Sequence, residues 1–424
     1  MQEIIDNFLE ITKINHCSYQ TQDLKQYIIN FAKDYNYNIE VDSAKNILIS
    51  SNNPKICLQA HYDMVCVGTA PKIEPIIEGN ILKAKNSSLG ADNGIAIAMM
   101  LELIKEGVEA EFLFTNDEEV GLIGAKNLEL KIKSTKLLNL DSEDEAQVYI
   151  GCAGGIDIKA TKELRSEDCS GSFYKVSLSN LPGGHSGVDI DKNIPNAIIE
   201  LAKIIKQSGA KLCAFKGGER INSIPANAEA IVCCDTLESI ENILTVKSKY
   251  NFEYKVIDGK YNCIDEVILE FLATYKSGVL DYNREFNVVQ NSSNLALVDI
   301  KDTKATIEVS LRSMDNNQLE NLSKVVKEGF EIVGFKTELN DKYPAWKPEI
   351  NSFTKELESV VEEVFNRCEQ KVIHAGLECG ILSQKFPNIK MASIGPNIRF
   401  PHSKREFVEI NSVYKTYEVV KRLI

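Results

Sequence analysis

The sequence predicts an α/β fold in which a doubly wound, mostly parallel sheet is interrupted by an inserted α+β domain. Two observations carry this. Short β-rich runs at residues 47–49, 56–60, 112–115 and 137–140 are separated by longer stretches that include an apolar helix over 95–104, and strands alternating with helices make a parallel sheet. From about residue 161 to 339 the texture changes. Runs such as 173–178 and 305–311 there alternate apolar with polar residues, as strands with one solvated face do.

Taken in order, Ile4, Ile5, Phe8, Leu9 and then Leu24, Tyr27, Ile28, Phe31, Ala32 fall at helical spacing and predict two opening amphipathic helices. The alternating strands and helices follow, then the inserted segment, then a helical pattern over Leu357, Val360, Val361 and Val364. A strand at 391–394 and a closing helix at 413–423 return to the texture of the first part. The expected division is a first domain over residues 1–155 that resumes at 341–424, with the insertion at 156–340. At 424 residues the chain has ample length for both cores.

Charge and composition narrow the function classes. Lys plus Arg number 48 against 61 Asp plus Glu, a net charge of −13 that repels phosphate backbones and anionic membranes, so no nucleic-acid or membrane partner is expected. The longest apolar runs fall well short of the ~20 residues that span a bilayer. The start, Met1 to Asp6, lacks the basic region of a signal peptide, which predicts a cytoplasmic protein. Eleven cysteines without a Cys-x-x-Cys pair, two of them adjacent at Cys233-Cys234, argue against a disulfide framework or zinc ribbon and for mostly reduced, buried thiols.

The chemistry-bearing residues fall at strand ends. His61-Tyr62-Asp63 follows directly on the run 56–60, at the carboxyl edge where open α/β sheets bind ligands. With one residue between them, Asp63 can hold one ring nitrogen of His61 while the other binds metal. Gly90-Ala91-Asp92-Asn93-Gly94 opens the apolar helix, where Asp92 reads either as an N-cap or as a carboxylate offered to metals. Run 112–115 leads into Glu118 and Glu119, and run 137–140 into Asp141, while His402 lies in a loop after the strand at 391–394. So many acids at one sheet edge would repel one another unless cations neutralise them. A mixed histidine and carboxylate set suits zinc, manganese or cobalt, and a carboxylate-bridged metal pair is a hydrolytic device.

The ordered set His61-x-Asp63, Gly90-Ala91-Asp92-Asn93-Gly94, Asp117-Glu118-Glu119, Asn139-Leu140-Asp141-Ser142-Glu143, Gly151-Cys152-Ala153-Gly154-Gly155, Gly183-Gly184-His185-Ser186-Gly187, His374-Ala375-Gly376-Leu377-Glu378-Cys379-Gly380 and His402-Ser403 resembles the di-zinc aminoacylase and dipeptidase family, in particular its aminoacyl-histidine dipeptidase branch. The resemblance implies a catalytic domain with an inserted lid and the hydrolysis of dipeptides by hydroxide held between two divalent cations, zinc with manganese or cobalt as alternatives. By it, Asp92 bridges the metals, His61 and Asp141 complete one site, and Glu119 and His402 the other. Glu118 is then the general base and Asp63 fixes the ring of His61. His185 stabilises the oxyanion, Arg312 binds the substrate carboxylate, and Asn222, Asn294, His374 and Glu378 line the substrate pocket. A homodimer is the expected assembly. One departure lies after His402, where relatives often show Ser-Pro-Asp-Glu and this chain has Ser403-Lys404-Arg405-Glu406.

Two other readings compete. A deacylase or desuccinylase acting on N-acyl amino acids would share the fold, and a metal- or peptide-binding scaffold without catalysis would share the ligands. Glu118 beside Glu119 speaks against the scaffold, since pure binding has no use for a base there. A dinucleotide enzyme is disfavoured, because residues 151–155 lack the G-x-G-x-x-G spacing and come after the sheet's fourth predicted strand.

Overall fold

The computed structural model describes residues 1–234 and 251–424. They pack as two compact units: Met1–Cys152 with Trp346–Val372 and Leu377–Ile424, and Ala153–Ala345 with Ile373–Gly376. The segment holding His374 thus belongs to the second unit, where the amide of Ala153 donates to the carbonyl of Ile373 at 3.0 Å.

In the first unit, helices Gln2–Ile11 and Gln22–Lys33 bury Ile4, Ile5, Phe8 and Leu24, Ile28, Ala32, the stripes their spacing predicts. The main sheet has eight strands in the order Asn38–Val41, Ile47–Ser50, Glu111–Thr115, Cys57–His61, Lys136–Asn139, Lys390–Ser393, Gln147–Cys152, Glu369–Ile373. Its central four strands are parallel. Strands Asn38–Val41 and Ile47–Ser50 run antiparallel, because a short turn with Lys45 at φ 72° joins them and leaves no room for a crossover helix. The helix Ala91–Glu106 is buried nearly throughout, which accounts for its unbroken apolar sequence from Ile95 to Leu101. The small sheet of this unit joins Pro75–Glu78, Ile81–Ala84, Ile398–Arg399 and Phe407–Glu409.

The second unit is built on a nine-stranded sheet whose neighbouring strands are antiparallel. Helices Ala197–Ser208, Glu266–Thr274 and Asn316–Ile332 cover it, burying Ile198, Leu201, Leu272 and Phe330 against Val232, Ile307 and Val309 in one core. Asn196 caps the first of these helices, accepting from the amides of Ile198 and Ile199 and donating to the carbonyl of Leu295.

The cysteine expectation needs one correction. Cys17 pairs with Cys66 and Cys169 with Cys263 as disulfides, leaving seven cysteines outside these pairs, six of them buried. Partners 49 and 94 residues apart give no local spacing signal, so the sequence reading missed both.

Candidate active site

Parallel strands that end at one edge deliver their following residues to one place. His61 ends the strand Cys57–His61 and lies in register with Thr115, whose carbonyl accepts from the amide of Tyr62 at 3.0 Å. The neighbouring strand Lys136–Asn139 runs into Asp141, and the amide of Leu140 donates to the carbonyl of Gln59. Helix Ala91–Glu106 starts beside them, with Asn93 Nδ2 donating to the carbonyl of Leu140 at 2.9 Å. At its mouth Gly90 has φ 73°, a Cβ there would lie 2.8 Å from the sulfur of Met64, and the Asp92-Asn93 peptide is cis.

Asp92 divides its carboxylate between two histidines. Its Oδ1 lies 3.1 Å from His61 Nε2, and its Oδ2 lies 3.1 Å from His402 Nε2. His61 Nε2 is also 3.3 Å from Asp141 Oδ1, and His402 Nε2 is 2.7 Å from Glu119 Oε1. Two clusters result, His61 with Asp92 and Asp141, and His402 with Asp92 and Glu119, each with its donor atoms within 4.8 Å of one another. Tetrahedral ligands about 2.0–2.1 Å from zinc lie about 3.3 Å from each other, which the separations of 3.1 and 3.3 Å approach, while His402 and Glu119 at 2.7 Å stand closer than such an edge.

The sequence reading puts His402 in a loop that follows the strand at 391–394, but between the strand Lys390–Ser393 and His402 the chain forms a further short strand, Ile398–Arg399. His402 stands at φ 56° in the turn of a ribbon formed by Ile398–Arg399 and Phe407–Glu409, which belongs to the small sheet.

The electrostatics call for positive charge. Burial pushes Asp141 up to about 7 and Glu143 up to about 8, with Asp92 adding repulsion in both cases. Glu118 is held well above the usual carboxylate range by burial and by Glu119, Asp141 and Glu378. Burial disfavours charge on His402, yet Asp92 and Glu119 lift it to about 11. Divalent cations would supply the compensation that two imidazoles share among these acids.

Asp63 holds this edge together. Its Oδ1 accepts from the amide of Glu118 at 2.8 Å, and its Oδ2 accepts from the amide of Glu119 at 3.3 Å and the hydroxyl of Ser18 at 2.8 Å. His61 Nδ1 sits 3.0 Å from the backbone carbonyl of Asp63 and 3.5 Å from its carboxylate, so the main chain is the nearer partner of the ring. Burial opposes ionisation of Asp63, but His61, Ser18 and the amide of Glu118 keep its carboxyl below the usual value.

The sequence reading missed Glu406. Its buried carboxylate accepts from the amides of Leu89, Gly90, Ala91 and Asp92 at 2.8, 3.2, 2.8 and 3.4 Å, tying the His402 ribbon to the segment that presents Asp92. The only signal was its position four residues after His402. Glu378, expected in the substrate pocket, is 0% exposed, and its Oε2 accepts from Gln59 Nε2 at 2.5 Å and Thr115 Oγ1 at 2.7 Å. That places it in the packed floor beneath the strand ends.

The remaining candidates belong to the second unit. Arg312 is buried and donates from Nη1 to the hydroxyl of Tyr343 at 2.6 Å. His374 Nε2 bonds the hydroxyl of Ser292, the register partner of Arg312, at 2.7 Å, and burial with Arg312 nearby lowers His374 to about 3, so its ring is neutral. His185 Nδ1 accepts from the amides of Gly187 and Val188 at 3.1 and 3.2 Å, which orients its ring. Gly187 has no room for a side chain, since a Cβ would lie 2.5 Å from the carbonyl of His374. Asn222 is exposed, and its carbonyl accepts from Ser186. Asn294 is buried, donates to the carbonyl of Ser223 at 2.8 Å, and lines a cavity of about 420 Å³ beside Ile190 and Tyr275.

Comparison with known proteins agrees with this architecture. Residues 57–424 match the model of Peptidase family M20/M25/M40. The whole chain is 31% identical to the cytosol non-specific dipeptidase of Escherichia coli (strain K12), of which it covers 97%. The solved aminoacylhistidine dipeptidase of Vibrio alginolyticus is similar at TM-score 0.80 and 28% identity, over 99% of this chain and 96% of that one. A tripeptidase of Staphylococcus aureus, at TM-score 0.61 and 17% identity over 100% and 97% of the two chains, shares the fold. Among the described residues no helix is long and apolar enough to cross a membrane. Matched to the family over most of its length and to a full-length relative at 31% identity, the chain belongs to Peptidase family M20/M25/M40, the hydrolases of peptide bonds.

Proposed function

We propose that the chain is a cytoplasmic dipeptidase acting through two divalent cations, zinc or in its place manganese or cobalt, and working as a homodimer. His61, Asp92 and Asp141 hold one cation, and Asp92, Glu119 and His402 the other. The observation that carries this reading is the shared carboxylate of Asp92, whose two oxygens address two separate histidines. The names of the full-length relative and of the similar solved structure, both dipeptidases, support the substrate class.

Bound there, such a pair supplies Lewis acidity that polarises the scissile carbonyl and acidifies water. The chain's own residues do the rest. Glu118 takes the proton of the attacking water and passes it to the departing amine, and burial beside Glu119, Asp141 and Glu378 raises its affinity for that proton. Asp63 fixes the Glu118-Glu119 main chain, so the base and the ligand beside it keep different directions. From the second unit, Arg312 offers a guanidinium to the free carboxylate of a dipeptide. His185, its ring set by two amides, donates to the carbonyl oxygen as negative charge develops on it.

The test is a panel of Ala-Ala, β-alanyl-histidine and N-acetyl and N-succinyl amino acids, assayed after chelation and again after reloading with zinc or manganese. Dipeptide hydrolysis should vanish and return, and Glu118→Gln should retain metal while turnover falls by about 10²–10⁴. Preference for the N-acyl compounds would replace this reading with that of a deacylase. Sedimentation of the loaded protein tests the dimer.

A further inference from the structure

In the second unit the period of a strand sends the adjacent Cys233 and Cys234 to opposite faces of the sheet. Cys234 joins the main core with Val232 and Ala230, while Cys233 turns to the other face with Ile231. Next to it runs the strand Lys211–Gly217, whose register shifts between Leu212 and Ala214. Cys213 is the extra residue of that bulge, and bulges re-aim side chains. It faces the same cluster as Cys233. Over this face lies a short two-stranded ribbon, Ser166–Asp168 with Asn262–Ile264, which brings Cys263 and, one residue past its first strand, Cys169.

Four sulfurs from four places in the sequence therefore converge. Donor atoms of Cys169, Cys233 and Cys263 lie within 4.8 Å of one another, and the sulfurs of Cys169 and Cys213 are 3.8 Å apart. Zinc–thiolate bonds of about 2.3 Å in a tetrahedron put neighbouring sulfurs about 3.8 Å apart. The partly buried rings of Phe173 and Tyr261, with centroids 5.2 Å apart, pack against the cluster.

We propose that Cys169, Cys213, Cys233 and Cys263 form a second, structural metal site that holds one soft divalent cation, of which zinc is the type. Thiolate ligands and burial suit such a closed site, and they are chemically unlike the histidine and carboxylate centre of the first unit. Binding requires the Cys169–Cys263 disulfide to be open. A thiol reductant of the glutathione class opens it, giving two electrons and two protons to the two sulfurs and leaving as its own disulfide. Each sulfur that then ligates the cation releases its proton to solvent. The site would clamp the ribbon to the sheet in a reducing compartment, where a disulfide does not persist.

The experiment titrates cobalt into the reduced full-length chain under anaerobic conditions. Sulfur-to-cobalt charge-transfer absorption, which the sulfur-free centre of the first unit does not give, should grow to saturation once that centre is filled and one further equivalent is bound. It should fall by about a quarter or more in both Cys213→Ser and Cys233→Ser, since one of four thiolates is gone, and stay unchanged in Cys368→Ser. In the wild type, which removes any question of folding, oxidation should abolish the band and a thiol reductant restore it. Alkylation at the four cysteines, read by peptide mapping, should slow about tenfold with zinc relative to chelator. No band in the reduced wild type, a band undiminished in either cluster variant, or equal alkylation with zinc and chelator would overturn the assignment.

Discussion

Replacing Asp63 by asparagine tests how the metal edge is held. The carboxylate accepts two backbone amides, from Glu118 at 2.8 Å and Glu119 at 3.3 Å, and a hydroxyl from Ser18 at 2.8 Å. Asparagine keeps an oxygen for the Glu118 amide but turns an NH2 group toward the Glu119 amide and Ser18. The hydroxyl can rotate to accept, whereas the amide of Glu119 cannot. One charge-assisted bond of about 1.5–3 kcal/mol is then lost, and the bond to Glu118 drops from charged to neutral, about 1 kcal/mol more. The expected destabilisation is about 2–4 kcal/mol in urea denaturation of the metal-loaded protein. Because both residues beside the reacting centre lose their support, kcat/KM for Ala-Ala should fall about 10–100-fold. The pH dependence has a fixed sign. The carboxyl of Asp63 is held below its ordinary value of 3.8, so its contribution is fully present above that pH and is lost as pH falls through the lower folded value. The gap between wild type and variant should therefore persist at pH 5–8 and close only in strong acid. Wild-type stability and kcat/KM in Asp63→Asn would show that the carboxylate does not position Glu118 and Glu119.

Other outcomes follow from the same geometry. Glu406→Ala leaves four amides at the start of the Asp92 helix without their acceptor, and metal affinity by equilibrium dialysis should weaken about 10–100-fold; unchanged affinity would refute a positioning role. Arg312→Met should raise KM for a dipeptide at least about tenfold but leave KM for the same dipeptide's C-terminal amide nearly unaltered, and equal effects on both would remove Arg312 from carboxylate binding. Asn196→Ala should cost about 1–2 kcal/mol in urea without touching metal binding, because the cap it removes serves a helix of the second unit.

The sequence shows most clearly what local chemistry determines. His61, Glu118, Glu119 and Asp141 are legible because each follows a short apolar strand, and parallel strands carry such residues to one edge. His402 is legible as a residue but not in its placement, since the two-residue strand Ile398–Arg399 is too short to show a period. Glu406 illustrates a second blind spot. A surface acid and a buried acid accepting four amides look alike until the chain returns from more than 300 residues away to supply the donors. Glu378 fails for the opposite reason, as its position at a helix start is visible, whereas its burial against Gln59 and Thr115 is tertiary. The cysteine cluster was hidden because three of its members lie on separate strands, the fourth just past another, and one of them depends on a bulge that no periodicity announces.

The central claim is that one carboxylate, Asp92, serves two cations at once. Anomalous scattering from crystals loaded with manganese, a hard cation that avoids thiolates, tests it directly. Two peaks about 3.5–4 Å apart on either side of the Asp92 carboxylate are expected. A single peak there, or two peaks of which neither touches Asp92, would contradict it.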